Sequence, residues 1–147
     1  MKKCKFKKLV YNQLQEVARE YLISLKEKHS KLDNIKNTYT LEPYLTSNNI
    51  TTEEKQTLFK LRTRMIEVKD NFKSYYGQDL TCKFCPEKET QSHLLVCREI
   101  VDTIDTSKYS YEDIFKDKKK QEPIARAYTK ILKLRSMKLK IRENLSK

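Results

Sequence analysis

A cluster of cysteine and histidine residues lies near the middle of the chain and limits the folds open to it. Three of the four cysteines and one of the two histidines fall within sixteen consecutive residues. Their spacing is Cys82-x2-Cys85-x7-His93-x3-Cys97. Three thiolates and one imidazole satisfy the tetrahedral preference of a zinc ion. The spacing therefore predicts one Zn²⁺ bound by Cys82, Cys85, His93 and Cys97.

The local sequence gives each half of this cluster a geometry suited to a single ion. The first two cysteines are close enough for a tight turn to direct both sulfur atoms at one point. His93 and Cys97 are four residues apart, so a helix that begins near His93 would carry both on one face. Thr90 or Ser92 can cap such a helix.

We expect the zinc site to be structural, because four protein ligands leave no position open for water or a substrate. A structural zinc ion contributes about 10 kcal/mol or more of apparent binding free energy, which exceeds the usual net stability of a small domain. Two alternatives to a metal site account for less of the sequence. Buried free thiols would not need this grouping, and a disulfide between Cys82 and Cys85 would leave Cys97 and Cys4 without a role.

Composition and periodicity favour helices over strands. One glycine and three prolines in 147 residues leave few positions suited to tight hairpin turns. Apolar residues recur at steps of three and four from Phe6 to Leu25, from Leu58 to Phe72 and from Ile124 to Leu145. We predict a mainly α-helical, small domain organised around one Cys-Cys-His-Cys zinc knuckle, with basic terminal helices.

Local signals place the boundaries of these helices. Thr51 followed by Glu54 has the spacing of a capping box. Gly77 is placed to end the same helix in a left-handed conformation, and Pro123 suits the first helical position of the last helix. The resulting segments are a basic N-terminal helix and loop (1–50), a core helix plus zinc knuckle (51–106), and a linker with a basic C-terminal helix (107–147). We expect them to form one zinc-stabilised unit overall.

The positive charge is concentrated at the two ends of the chain. Residues 1–31 carry nine lysines and arginines against three acids, and residues 116–147 carry twelve against three. Such concentration favours a polyanionic partner, although lysines also keep long helices soluble. The residues expected to contact nucleic-acid phosphates are Lys2, Lys3, Lys5, Lys7, Lys8, Arg62, Arg64, Arg126, Lys130, Lys133, Lys138, Lys140 and Arg142.

Four stretches of the sequence carry a resemblance to a known family. They are LFKLRTRMIEVKDNFKSYYGQDLTCKFC, ETQSHLLVC, YEDIF and a basic segment containing ILKLR. Together they resemble the C-terminal region of reverse transcriptases from non-LTR retrotransposons of the jockey-like type. The resemblance is specific around residues 58–97 and looser elsewhere. It implies that the four cluster residues match the ligand positions of that family's zinc knuckle and that the region binds nucleic acid.

The same resemblance does not imply polymerase activity for this chain. A polymerase needs paired aspartates to hold two metal ions, and the local candidate, Tyr111-Glu112-Asp113-Ile114, lacks the pair. The endonuclease of such elements has no counterpart here. The resemblance therefore implies a detached or domesticated tail module.

These observations predict a zinc-stabilised module that binds RNA or DNA with low sequence specificity. The alternative is a protein–protein interaction or dimerisation module that uses the amphipathic C-terminal helix. We do not expect an enzyme, because no nucleophile has a neighbouring base and no glycine-rich phosphate loop is present. No apolar run suits a membrane span and MKKCKFKKLV is not a secretory signal, so we expect a nuclear or cytoplasmic, reducing location.

Overall fold

The computed structural model describes residues 3–33 and 42–147. Contacts within the chain divide it into two compact units, Met1–Thr46 and Ser47–Lys147. The prediction of a mainly α-helical fold is confirmed. Within the described residues no strand forms, and the β-type pairing is an isolated antiparallel bridge between Thr81 and Lys88.

Seven α-helices and three 3₁₀ turns are present in the described part of the chain. The α-helices are α1 (Lys3–Lys28), α2 (Pro43–Thr46), α3 (Thr52–Arg62), α4 (Lys73–Tyr76), α5 (Arg98–Val101), α6 (Asp113–Lys116) and α7 (Lys118–Leu145). The 3₁₀ turns span Ser30–Leu32, Lys69–Phe72 and His93–Leu95.

The first unit contains α1, which confirms the predicted N-terminal helix. Most of its apolar stripe is exposed, including Phe6, Leu14, Val17 and Tyr21, each at 60% or more. Residues 34–41, which belong to the predicted loop, lie outside the described residues.

The second unit is built on the first half of α7. Ile124, Tyr128 and Ile131 on this helix are completely buried, and α7 packs against α3, α5, α6 and the 3₁₀ turn at His93. Leu58 and Leu61 of α3 are also completely buried. Burial of each such aliphatic side chain contributes about 1.5–3 kcal/mol. The core of the unit therefore lies between α3 and α7, and the turn that carries His93 packs against α7.

The capping box predicted for α3 is present. Thr51 Oγ1 accepts a hydrogen bond from the Glu54 N–H at 3.2 Å, and Glu54 Oε2 accepts one from the Thr51 N–H at 2.9 Å. Two of the N–H groups that a helix start leaves unpaired are therefore satisfied.

The prediction that this helix continues to Gly77 is wrong, because α3 ends at Arg62. Arg64 adopts a positive φ of 53°. The Met65 N–H then donates to the Lys60 carbonyl at 2.8 Å and the Arg64 N–H to Leu61 at 3.3 Å. This pair of bonds is a Schellman motif, which closes a helix. An arginine occupies the position where glycine is usual, so no stop signal is visible in the sequence here.

Gly77 ends the later helix α4 instead. Its φ of 66° is positive, as predicted, but its ψ of −131° lies outside the left-handed helical region. Glycine adopts this conformation readily because it lacks a Cβ atom.

The last helix begins five residues before the predicted start. Asp117 Oδ1 accepts a hydrogen bond from the Lys119 N–H at 3.0 Å and caps α7. Pro123 consequently lies inside the helix rather than at its first position. Since proline has no N–H, the Lys119 carbonyl lacks its usual helical partner.

Candidate metal centre

Four candidate ligand atoms converge in the second unit. The sulfur atoms of Cys82, Cys85 and Cys97 and a ring nitrogen of His93 all lie within 4.8 Å of one another. Nε2 of His93 is 3.2 Å from Sγ of Cys85, and Sγ of Cys97 is 3.9 Å from the same sulfur. Ligands bound tetrahedrally at ordinary metal distances are about 3.6–3.8 Å apart. These residues, here called the Cys3His cluster, therefore fit a tetrahedral metal ion.

A short loop aims the first two cysteines. The Cys82 N–H donates to the Glu87 carbonyl at 2.8 Å, and the Glu89 N–H donates to the Leu80 carbonyl at 2.8 Å. Inside the loop the Phe84 N–H points at Sγ of Cys82, 3.4 Å away. We call residues 80–89 the knuckle loop.

The second pair of ligands lies on a tight turn. The helix predicted to start near His93 is a 3₁₀ turn, and the Thr90 hydroxyl accepts a hydrogen bond from the His93 N–H at 3.0 Å. Ser92, the other predicted cap, makes no capping bond. The Cys97 N–H donates to the His93 carbonyl at 2.9 Å. This one i-to-i+4 bond brings both side chains to the same side, as predicted.

Burial disfavours the charged form of Cys97 when no cation is bound. Cys82, His93 and Cys97 are each less than a tenth exposed, and all four cysteines of the chain are free thiols. Burial, together with the neighbouring Cys82 and Cys85 sulfurs, raises the pKa of Cys97 to about 12. A divalent cation at the centre would supply the charge that stabilises the thiolates.

A buried ion pair joins the knuckle loop to α7. Glu89 is 1% exposed, and its Oε1 accepts hydrogen bonds from Nε of Arg135 at 3.1 Å and from the neighbouring Nη2. Its Oε2 accepts a bond from the Lys69 N–H at 3.2 Å. Both carboxylate oxygens are therefore paired. The role of Glu89 was not predicted from the sequence, although an acid between two candidate metal ligands was visible there.

Gln91 is a second buried connection that was not predicted from the sequence. Its Nε2 donates to the Leu61 carbonyl at 2.9 Å and to the Tyr111 hydroxyl at 2.7 Å, while its Oε1 accepts from Asn71 Nδ2 at 2.9 Å. The Tyr128 hydroxyl donates to the Gln91 carbonyl at 2.7 Å. The segment between the two halves of the Cys3His cluster is thus fixed to α3 and α7.

Lys138, on the second half of α7, contacts the helix that follows the cluster. Its Nζ donates to the Glu99 carbonyl at 2.5 Å and lies 3.1 Å from Asp102 Oδ2. Three residues earlier on the same helix, Arg135 binds Glu89. Both cations therefore point toward the metal-binding segment.

Arg142 contacts the knuckle loop itself. Its Nη1 donates to the Lys83 carbonyl, and its guanidinium carbon lies 4.5 Å from the ring centroid of Phe84. A guanidinium over an aromatic face contributes about 0.5–2 kcal/mol. Arg135, Lys138 and Arg142, spaced by three and four residues, form one cationic face that we call the α7 clasp.

The predicted phosphate-binding residues are not all available at the surface. Arg62 is 6% exposed and Arg64 is half-buried. Arg126 donates to the Asn49 carbonyl at 2.6 Å, and Lys133 pairs with Glu53 at 2.8 Å. Lys138 and Arg142 belong to the α7 clasp.

The remaining predicted cations lie on the two long helices. Lys5, Lys7 and Lys8 are exposed on α1, and Lys130 and Lys140 are exposed on α7. Lys2 lies outside the described residues, as does the side chain of Lys3. Cys4 is exposed on α1 and is not part of the Cys3His cluster.

No protein-family model, curated protein or solved structure matches this chain. None of the described helices combines the length and apolar character that a membrane crossing requires. The function must therefore be argued from the residues themselves.

Proposed function

We propose that the Cys3His cluster binds one zinc ion and that this ion is structural. The observation that supports it is the convergence of four ligand atoms within 4.8 Å. Thiolate and imidazole ligands in a tetrahedral arrangement are typical of zinc. Four protein ligands leave no coordination position for a substrate, so we assign the ion no catalytic role. It joins the knuckle loop to the turn that packs on α7.

We further propose that the chain is a nucleic-acid-binding module for RNA or DNA with low sequence specificity. The observation behind this proposal is the surplus of cations on the two long helices. Lysines and arginines outnumber acids by seven to three on α1 and by ten to two on α7. Each phosphate neutralised by such a cation releases counterions and favours binding. The resemblance to the tail of a non-LTR reverse transcriptase supports the same proposal.

On α7 we assign the phosphate contacts to Arg126, Lys130 and Lys133. They are exposed and spaced by four and three residues, so they share one helix face. The pair between Lys133 and Glu53 is exposed on both sides. Exposed pairs contribute little stability, so a phosphate can replace the glutamate. The Arg126 bond to the Asn49 carbonyl is also exposed, and the guanidinium has further N–H donors for a phosphate. We leave Lys138 and Arg142 out of this set because they hold the segment around the Cys3His cluster.

Binding of labelled single- and double-stranded RNA and DNA, measured between about 50 and 300 mM salt, tests the proposal. We expect affinity to fall steeply with salt, because phosphate contacts dominate it. Lys130→Glu with Lys133→Glu should weaken binding about tenfold or more at low salt. The matched control changes two other exposed lysines, Lys60→Glu with Lys116→Glu. Affinity that does not depend on salt, or equal losses in both double variants, would contradict the assignment.

A second candidate function rests on a different observation. The distal part of the α7 stripe is exposed, with Met137 at 59%, Ile141 at 55% and Leu145 at 82%. Exposed apolar residues at helical spacing suit an interaction with a protein partner or with a second copy of the chain. A dimer that persists at high salt in light scattering, with no retention of nucleic acid, would favour this function.

A further inference from the structure

Two open cavities lie along one flank of α7. The first is a cavity of about 680 Å³ between α7 and residues 103–109. Its apolar floor is formed by Ile104, Pro123, Ala127, Leu134 and Met137. A second cavity of about 430 Å³ begins at Lys138 and reaches Leu145, between α7 and α5. We call the two cavities together the α7 trough.

α7 is long enough to support a partner helix along this flank. From Pro123 to Leu145, α7 extends about 33 Å at 1.5 Å per residue. Its apolar residues Leu134, Met137, Ile141 and Leu145 recur at steps of three and four, and the last three are more than half exposed. A partner helix with one apolar face packs on such a stripe through anchors at the same spacing.

The charge on the rim identifies the character of the partner. The first cavity is lined by four cations, Lys108, Arg126, Lys130 and Lys133, against one acid, Asp105. The second cavity adds three cations and two acids. Three of the four cations of the first cavity lie on its α7 edge. An apolar floor beside such a basic edge is complementary to an apolar helix stripe flanked by acidic residues.

We propose that the α7 trough binds an acidic amphipathic helix of a partner protein. The same charges disfavour the other occupants. The two long helices of this chain, α1 and α7, are both strongly basic, so neither helix, from this chain or from a second copy, complements the rim. A nucleic-acid duplex presents phosphates but no apolar stripe to cover the floor. The inference rests on the second candidate function above and specifies its partner. It does not require nucleic-acid binding, but Arg126, Lys130 and Lys133 would serve either ligand, so peptide and oligonucleotide should compete.

A synthetic peptide of about five helical turns tests the inference against the full-length, zinc-loaded chain. The peptide carries leucines at steps of three and four, flanked by glutamates, and a second peptide of equal composition has its leucines scrambled around the helix. We expect the amphipathic peptide to bind at least about tenfold more tightly than the scrambled one, because only it buries its leucines together.

Variants of the floor locate the site. Met137→Ser with Ile141→Ser removes exposed side chains and leaves the buried core in place. We expect it to reduce binding of the amphipathic peptide to the scrambled level and to leave oligonucleotide affinity unchanged. The matched control is Met65→Ser with Phe59→Ser, two exposed apolar residues that do not line the trough. This control should keep full peptide affinity.

Five results would overturn the inference. Equal binding of the two peptides would show that charge alone attracts them, and full peptide affinity in the floor variant would place the site elsewhere.

A parallel loss of oligonucleotide affinity in the floor variant would assign the trough to nucleic acid. A dimer that the floor variant dissociates would assign it to a second copy. Peptide binding that appears only after Leu14→Asp with Val17→Asp would assign it to α1. Oligonucleotide affinity is measured separately, so failure of the proposed function remains distinguishable.

Discussion

Glu89 of the knuckle loop and Arg135 of α7 form a buried ion pair across 46 residues of sequence. The glutamate side chain is 1% exposed and the arginine side chain 12%. The pair therefore ties the metal-binding loop to the helix that carries the core. Its geometry is specific because both carboxylate oxygens of Glu89 have partners.

Breaking this pair should be costly. In Glu89→Gln the buried guanidinium of Arg135 loses its counter-charge, and we expect the free energy of unfolding to fall by about 3 kcal/mol. Glu53→Gln breaks the exposed pair with Lys133 and is the matched control, with an expected change of less than about 0.5 kcal/mol. Urea unfolding of the zinc-loaded proteins measures both. Equal effects would mean that the buried pair adds no net stability over an exposed one.

Removing the metal should expose three thiols and loosen the second unit. Mass spectrometry under native conditions should show one zinc ion per chain. A thiol reagent should titrate Cys4 alone in the loaded protein and all four cysteines after chelation. Chelation should lower the melting temperature by more than about 10 °C, because the ion stabilises only the folded state.

Single replacements distinguish the cluster from the isolated cysteine. Cys97→Ser should abolish stoichiometric zinc, whereas Cys4→Ser should retain it, because Cys4 is exposed on α1. Metal-free protein that melts at the same temperature as the loaded protein would contradict a structural site.

Alkaline pH should destabilise the fold through buried Tyr128 and half-buried Tyr111. Burial raises the pKa of Tyr128 and of Tyr111 above the ordinary value. Above about pH 10 the unfolded chain therefore loses these protons while the folded chain keeps them. Stability is complete below that pH and falls as pH rises, by up to about 1.4 kcal/mol per pH unit for each tyrosine.

Tyr128→Phe separates this effect from the hydroxyl's hydrogen bond to the Gln91 carbonyl. At neutral pH the variant should lose about 1–2 kcal/mol, because a buried carbonyl is left without a donor. Between about pH 10 and 11 its stability should fall less steeply than that of the unmodified chain. Tyr75→Phe, at a residue that is 83% exposed, is the control. It should change neither the stability at neutral pH nor the steepness of its fall at alkaline pH. An identical alkaline slope in Tyr128→Phe would refute the assignment.

Gly77→Ala should cost stability through the backbone alone. The residue has a positive φ of 66°, and a Cβ atom placed there would meet no atom within 4 Å. The expected loss is about 1–2 kcal/mol from backbone strain. Zinc stoichiometry should stay at one. Ser74→Ala, on the exposed surface of α4, is the control. If the Gly77→Ala protein were as stable as this control, position 77 would not require glycine.

The elements that could be predicted from sequence are those encoded over a few residues. The spacing of the Cys3His cluster determined which four side chains meet, since short loops allow few alternatives. The capping box of Thr51 and Glu54 likewise depends only on residues three positions apart. Both predictions are confirmed by the geometry, whereas the identity of the metal stays a prediction.

The elements that were missed depend on backbone or long-range effects. The apolar pattern continues past Arg62, but the left-handed Arg64 ends α3 there without a glycine to mark it. Asp117 caps α7, although Pro123 had suggested a later start for this helix. Glu89 looks like an ordinary surface acid until α7 places Arg135 against it. No local pattern encodes that contact.

In the α7 clasp, two of the acceptor residues tolerate substitution better than the donor residues do. Arg142 and Lys138 donate to the main-chain carbonyls of Lys83 and Glu99. Every residue has a main-chain carbonyl, whatever its side chain. A substitution at either acceptor position therefore leaves the acceptor of the bond in place. The donors have no such freedom, because only a long cationic side chain reaches across from the helix. Selection on this contact therefore acts on α7 and leaves those two acceptor positions free to diverge.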